Sequence, residues 1–448
     1  MKYPAYGAYR PSPFSWMDRV PQHWDAAALR WLSKRYAGGT PDKGNDAYWE
    51  DGSIPWLNSG AVNDAYITVP SELITPEGFA NSSAKWIPEG ALVMALAGQG
   101  KTKGMVAQLG IATTCNQSMA AIIPVQRLDS RYLYWWLAAN YQNIRNLAGG
   151  EARDGLNLDM LGSIPCPIPP LAEQQTIAWF LDAKAVQIDE LVAKNRQLID
   201  KLKEKRQALI ARTVTRGLPP AEARRSGLDP HPKLQPLAEA WVDAIPSHWD
   251  VWKIAHGFKT IGSGTTPPSD NEDWYDGDVP WVTTGELRES RITSTAKRVS
   301  EAAVREFSAL KVFPQDSILI AMYGATIGRL GILGVPATTN QACCALANGI
   351  AFNVGFLFFW FQAFREQLLM LATGGGQPNI SQEKIRLLRV PCPDMAEQEL
   401  ISEYLRRETH RLDHLVEVAE SAIDRLQELR HSIINSAVSG KIDVRGFE

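Results

Sequence analysis

Most of this 448-residue chain is written twice, and a duplicated chain is expected to fold into two copies of one design. The string "WMDRVPQHWD" at 16–25 returns as "WVDAIPSHWD" at 241–250. "YWEDGSIPWLNSG" at 48–60 returns as "DWYDGDVPWVTTG" at 273–285, so Trp56 and Trp281 correspond. "TTCNQ" at 113–117 matches "ATTNQ" at 337–341, and "SIPCPIPPLAEQQ" at 163–175 matches "RVPCPDMAEQE" at 389–399. Tryptophans, prolines and glycines recur in one order, which composition alone does not produce.

Each copy has two parts. In the first, short apolar runs are punctuated by Gly, Pro and Asn. "GALVMALAG" (90–98) and "DSILIAMYG" (316–324) predict strands, while "YLYWWLAANYQNIRNL" (132–147) and "FLFFWFQAFREQLLML" (356–371) predict one helix per copy. The second part is one long helix, opening after prolines such as Pro169 and Pro170, with Glu173 in its first turn. Heptad spacing runs through Ile188, Leu191, Asn195, Leu198, Leu202, Lys205 and Leu209 in one copy. In the other it runs through Leu412, Leu415, Ala419, Ala422, Leu426, Leu429 and Ile433. Polar Asn195 and Lys205 face Ala419 and Leu429 in the alignment, which favours pairing of the two helices with each other.

The expected fold is α+β: two related strand-rich mixed globular domains separated by two long antiparallel coiled-coil helices, an internal pseudo-two-fold repeat. The expected boundaries are 1–168 for the first globular domain with an N-terminal extension and 169–216 for the central helix. A linker with little structure of its own follows at 217–240, rich in Pro and charge. The second globular domain spans 241–393, the C-terminal helix 394–439 and a tail 440–448.

Composition narrows the class. Hydrophobic residues at 45% and charged residues at 21% exclude wholesale disorder. A formal charge of −3 advertises no general affinity for nucleic acid, though it leaves room for a basic face. Five cysteines without C-x-x-C spacing form neither a zinc pattern nor a disulfide framework, and with no signal-peptide pattern at the start the expected location is the cytoplasm. The uncharged run 331–364 is interrupted by Pro336 and several Asn and Gln, so it reads as buried strands and a helix rather than a membrane span.

The string "ALAGQGKT" at 95–102 fits the relaxed phosphate-loop pattern, with Lys101 and Thr102 in the nucleotide-binding places. A phosphate loop opens a helix, whereas "KGMVAQLGIATT" follows here, and the second copy, "AMYGATIGR" (321–329), has no Lys-Ser/Thr pair. The string is therefore expected to be a glycine turn between strands, as is its relative. Lys101 and Lys103 in one turn and Arg329 in the other then become candidates for a DNA phosphate or base edge, against the plain alternative of a solvated turn. His410 and His414 lack the glutamate that a zinc hydrolase motif requires, and neither a cofactor fingerprint nor a nucleophile elbow appears.

With "GGTP" (38–41) and "GTTP" (264–267), "IPWLNSG" and "VPWVTTG", and "TGGGQPNIS" (373–381), the chain resembles the specificity subunits of type I DNA restriction–modification systems. "PPLAEQQTIAWFLD" (169–182) and "PDMAEQELISEYL" (393–405), each leading into a long helix, carry the resemblance most strongly. The first copy departs from it at "AGGEARDGLNLD" (148–159), where "GQPNIS" is not kept. The resemblance implies two target recognition domains, each reading half of an asymmetric, split DNA sequence, in a chain that is not itself an enzyme. It implies helices that set the gap and dock two methyltransferase subunits, with motor and endonuclease subunits completing the complex. S-adenosylmethionine, ATP and magnesium are expected in those partners and no cofactor or metal in this chain. The stretch 188–209 rises roughly 31 Å at about 1.5 Å per residue, close to a duplex turn of about 34 Å.

Candidate DNA contacts are Thr40, Lys43, Lys101, Lys103 and Arg153 in the first copy, and Thr265, Thr266, Arg288, Arg329 and Gln377 in the second. The spacer seam is assigned to Ile188, Leu191, Leu198, Leu202, Leu209, Leu412, Leu415, Leu426, Leu429 and Ile433. A fused or type II-like restriction–modification system is an alternative setting, and a nucleotide-binding enzyme using Lys101 is the reading of the loop string taken alone.

Overall fold

The computed structural model describes residues 3–98, 100–148, 155–239, 241–373 and 379–447. The chain divides into two units, Met1–Asn195 with Ser421–Glu448, and Arg196–Glu420. The two long helices, Leu171–Arg216 and Met395–Val438, each contribute one half to each unit.

The first unit is built on a five-stranded sheet in the order Ser33–Ala37, Met119–Pro124, Leu92–Ala95, Val106–Leu109, Tyr66–Ile67, with only the last pair parallel. Strand Leu92–Ala95 is buried at every position. Alternation sends Leu92 and Met94 into the core beside the helices, and Val93 and Ala95 into a second core with Leu57, Val62 and Cys115. Covered on both faces, such a strand reads as a continuous apolar run. The second unit repeats the plan in the order Phe258–Gly262, Cys343–Gly349, Ile318–Ala321, Leu330–Leu333, Ser290–Ile292. Ile318 and Ile320 enter its helix-side core, and Leu319 and Ala321 its other core. The predicted single helix per copy is instead two short ones, Ser130–Ala139 with Tyr141–Asn146 and Val354–Ala363 with Arg365–Met370. The first break falls at Asn140, whose side-chain amide donates to the Trp136 carbonyl at 2.9 Å.

The repeated strings meet at the start of each long helix. In the first unit the buried Glu173 carboxylate accepts from Trp24 Nε1 at 3.0 Å and Tyr6 OH at 2.6 Å, and lies 2.8 Å from His23 Nε2. In the second, Glu397 accepts from Trp249 Nε1 at 3.0 Å and lies 2.9 Å from His248 Nε2. The neighbouring Gln174 accepts from Asp129 N at 2.7 Å and donates to two backbone carbonyls. Gln398 repeats this, accepting from Asn353 N at 2.7 Å and donating to carbonyls of Ala351 and Pro393. Buried polar groups are tolerated only when satisfied. The "HWD" and "AEQ" strings therefore recur because each is the other's partner.

Within each unit the helix halves run antiparallel. In the first, Phe180 and Ala185 share a core with Ala437 and Val438, while Asp189 pairs with Arg430 at 2.8 Å. In the second, Ile210 and Val214 share a core with Ile401 and Leu405, while Arg206 pairs with Asp413 at 2.9 Å. The seam departs from the expected register. Ile188, Leu202 and Leu412 are buried and Leu209, Leu426 and Ile433 partly so, but Leu191, Leu198, Leu415 and Leu429 stand 45%, 48%, 43% and 49% exposed. Val192 and Ile199 are buried in place of Leu191 and Leu198, and Val416 and Arg430 are half-buried beside Leu415 and Leu429. Two seams of 3–4 spacing share every second position. The one adopted places Arg206 and Arg430 where each finds an aspartate, whereas the leucine seam would have enclosed Lys205, which is exposed.

The stretch between the copies is also more ordered than its composition suggests. Pro220–Arg225 is helical, Leu218 and Ala223 are buried in the second unit's core, and Leu234–Glu239 pairs with Val242–Pro246. This strand pair corresponds to Tyr9–Pro11 with Arg19–Pro21 in the first unit.

Candidate nucleic-acid interface

In both units a glycine-containing loop is pinned against a two-residue strand, Thr114–Cys115 or Thr338–Thr339, that leads into Asn-Gln. A Cβ on Gly38 would lie 2.0 Å from the Cys115 carbonyl oxygen, and one on Gly264 would lie 1.7 Å from that of Thr339, so only glycine allows the approach. Trp56 Nε1 donates to the Gly39 carbonyl at 2.9 Å, and Trp281 Nε1 to the Thr265 carbonyl at 3.1 Å. At the outer edge the Thr40 hydroxyl bonds the Gln117 side-chain carbonyl, and the Thr266 hydroxyl bonds that of Gln341 at 2.6 Å. Both glutamines are exposed. Thr265 thus acts through its backbone and Thr266 through its hydroxyl.

Beyond this shared edge the loops diverge. Lys43 lies 4.6 Å from the Trp49 ring centroid and 5.3 Å from that of Trp56, and its ammonium is 3.3 Å from Glu72. The corresponding stretch of the second unit, "PPSDNEDW" (267–274), has no lysine. Arg288 is exposed, its Nε 3.4 Å from the Gly285 carbonyl.

The string "ALAGQGKT" forms the tip of an antiparallel hairpin joining Leu92–Ala95 to Val106–Leu109, and 321–329 forms its counterpart joining Ile318–Ala321 to Leu330–Leu333. Thr102 leads into a strand, as expected for a glycine turn. Gly100 and Gly104 hold φ of 62° and 84°, and Gly324 and Gly328 hold 69° and 72°, left-handed values that favour glycine. Lys101 is exposed and its carbonyl accepts from Tyr141 OH, while Arg145 donates to the Gly100 carbonyl at 2.9 Å. Lys103 is not on the open surface: only 5% of it is exposed, and the next residue, Gly104, donates its N–H to the Ala95 carbonyl at 2.9 Å. It is removed from the set of open contacts. Arg153 and Gln377 lie outside the described residues.

Under each turn lies a groove, and the two grooves occupy corresponding places. The first, about 450 Å³, is lined by Lys101, Met105, Tyr134, Ala138, Tyr141 and His431 among others. The second, about 310 Å³, is lined by Arg206, Gln207, Glu289, Arg329, Gln362 and Arg365, with Leu330. Arg329 is thus accompanied by Arg365, which the sequence reading did not select. Gln117 and Gln341 were also missed, although both stand in a repeated string that was itself visible.

Among the described residues no group of three His, Cys, Asp or Glu is arranged to hold a metal ion, and no helix is long and apolar enough to cross a membrane. All five cysteines are free and buried. Burial pushes the Cys115, Cys343 and Cys344 thiols up to about 12 and Cys392 to about 11, so they are poor nucleophiles near neutrality. Burial, reinforced by the Glu173 hydrogen bond, likewise holds the Tyr6 phenol well above its ordinary range.

The family model described as the type I restriction modification DNA specificity domain matches residues 23–204 and 246–416, which together make up most of the chain. The chain belongs to this family. It is 30% identical over 154 residues to the Escherichia coli type I restriction enzyme EcoR124I/EcoR124II specificity subunit, a stretch covering 34% of this chain and 38% of that one. The Methanocaldococcus jannaschii MjaVIII specificity subunit is 20% identical over 439 residues, covering 96% of this chain and 95% of the relative. The EcoKI specificity subunit of Escherichia coli K12 is 22% identical, with coverage of 95% and 90%. Among solved structures, the HsdS subunit from Thermoanaerobacter tengcongensis superposes with a TM-score of 0.60 at 15% identity, over 96% of this chain and 99% of that chain. A chain solved in work on assembly and conformational transition of the type I R-M system gives 0.72 at 16% identity, over 94% and 99%. These two solved structures share the fold described above along nearly their whole length.

Proposed function

We propose that this chain is the DNA sequence-recognition subunit of a type I restriction–modification complex working in the cytoplasm. Each unit reads one half of an asymmetric bipartite site in double-stranded DNA. The observation that carries this reading is the pairing of an identical loop scaffold with unlike loop tips. Gly38, Thr40, Trp56 and Gln117 have counterparts in Gly264, Thr266, Trp281 and Gln341, whereas Lys43 has no like residue in the second unit, Arg329 stands in the turn that carries Lys101, and Arg365 stands in place of Tyr141. One scaffold with two sets of tips suits two different half-sites.

The long helices set the gap between half-sites and dock two methyltransferase subunits. The leucine flank left outside the seam supports the second role, since Leu191, Leu198, Leu415 and Leu429 offer apolar surface on otherwise polar helices. Motor and endonuclease subunits complete the complex, and S-adenosylmethionine, ATP and magnesium act in the partners. Thr40, Lys43, Lys101, Thr265, Thr266, Arg288 and Arg329 are the candidate contacts among the described residues that reach the surface.

Methylome sequencing of cells carrying the intact system tests the proposal. The expected result is one modified motif with two unlike halves and a fixed gap. A symmetric motif, or a motif unchanged after residues 20–165 are exchanged for those of a relative, overturns it.

A further inference from the structure

We propose that Gln117 and Gln341 are a matched pair of phosphate contacts, one per unit, that seat both recognition domains on the duplex in the same way whatever sequence each reads. This inference rests on the DNA-recognition reading above.

The argument begins with what the duplication preserved. Each glutamine follows an asparagine whose side-chain carbonyl is engaged inside the loop: Asn116 Oδ1 accepts from Ser118 N at 3.1 Å, and Asn340 Oδ1 from Ala342 N at 3.2 Å. The asparagine backbones are fixed as well, with Asn116 N donating to the Leu57 carbonyl at 2.9 Å and Asn340 N to that of Val282 at 3.0 Å. The adjacent glutamine is therefore presented outward from a rigid base. Its side-chain carbonyl takes the threonine hydroxyl, Thr40 in one unit and Thr266 in the other. Among the described residues no bond is made by either amide nitrogen, so two N–H donors remain on each.

The chemistry of that display selects the ligand. Bidentate recognition of adenine by a glutamine uses one donor and one acceptor of the amide. Here the threonine takes one of the carbonyl's two lone pairs and fixes the amide, while both N–H donors stay open, and that donor pair suits the acceptor oxygens of a phosphodiester. Identity across the units points the same way. Two units reading different half-sites cannot be told apart by a residue they share, whereas the sugar–phosphate backbone is common to both. Sequence discrimination is then left to the residues that differ, Lys43 and Lys101 on one side and Arg288 and Arg329 on the other.

The test uses the full chain assembled with its methyltransferase subunits, titrated with cognate duplex, single-base variants and unrelated duplex over a salt series. Gln117→Ala and Gln341→Ala are each expected to weaken binding to every duplex by the same factor, roughly three- to tenfold. The salt slope is expected to stay unchanged, because a neutral donor releases no counterion. Gln117→Lys is expected to recover the affinity and to steepen the slope by about 0.9, the signature of one added phosphate contact. Gln→Lys at a site remote from DNA would not move the slope, and that result overturns the proposal even if the alanine variants fold poorly. A changed base preference at one position overturns it in favour of base reading, and unaltered affinity in the alanine variants overturns it in favour of a purely internal loop pair. Failure of the unmodified complex to bind its cognate duplex would instead remove the recognition reading itself.

Discussion

The two units differ least where they are buried and most where they meet solvent. Glu173 and Glu397 hold the same tryptophan–histidine pair, and Gln174 and Gln398 make the same three kinds of bond. The ion pairs Asp189–Arg430 and Arg206–Asp413 are also one design with the helices exchanged. Against that constancy, the grooves beneath the hairpin turns changed character. Met105, Ala138 and Tyr141 line one, while Arg329, Gln362 and Arg365 line the other. A scaffold can be copied without loss only if its stability does not depend on the tips it carries.

The sharpest way to break this comparison is at the buried carboxylates. Glu173→Ala leaves Trp24, His23 and Tyr6 without their acceptor and is expected to destabilise the first unit by about 3 kcal/mol, with little effect on the second. Glu397→Ala is expected to do the reverse, and peptide-resolved hydrogen exchange reads both. Equal loss in both units would mean that they do not fold on separate anchors.

Next in size is the seam. Val192→Asp puts a charge into buried contact and is expected to cost about 2 kcal/mol in denaturant melts, while Leu191→Asp is expected to cost less than about 0.5 kcal/mol. If the order is reversed, the leucine register is the real one. In the proposed complex Leu191→Asp is expected instead to weaken methyltransferase association, measured by analytical ultracentrifugation.

A smaller contrast separates the equivalent thiols Cys166 and Cys392. Burial pushes Cys392 from 9.0 to about 11, and Cys166 further still. The unfolded chain therefore releases these protons first as pH rises. The associated stability is complete below pH 9 and is lost as pH climbs through 11, earlier for Cys392 than for Cys166. Alkylation followed by mass spectrometry should modify Cys392 before Cys166, and the opposite order would contradict the burial difference.

The smallest expected effect lies in the grooves. Arg365→Ala is expected to weaken DNA binding by the proposed complex a few-fold and to reduce the salt slope by about 0.9, whereas Tyr141→Ala at the corresponding place leaves the slope alone. Equal slopes for the two variants would show that the grooves do not differ in their use of charge.

Much of this was legible in the sequence because duplication aligns residues that a single copy would leave ambiguous. The strands 92–95 and 318–321, the hairpin at "ALAGQGKT" and the two long helices follow from apolar runs, glycine spacing and heptads. The seam did not, because Leu191 and Val192 both satisfy a 3–4 spacing, and the pairing of Arg206 with Asp413 and of Asp189 with Arg430 depends on the partner helix. The burial of Lys103 is a product of tertiary packing that no local pattern in the turn encodes. Gln117 sits 77 residues from Thr40 along the chain, so their partnership is a product of the fold rather than of either string.

The sheet buried on both faces also bears on how such a chain can be rewritten. Leu92 and Met94 belong to the helix-side core, and Val93 and Ala95 to the core on the sheet's other face, with Leu57, Val62 and Cys115. The strand is a partition with a different set of neighbours on each side, so substitutions that repack one compartment need not reach the other. New loops can be inherited together with the odd-numbered side chains of this strand, while the even-numbered ones stay matched to the helices. A recombinant that respected that alternation would exchange the loops without disturbing the frame, and one that cut across it would have to repair two cores at once.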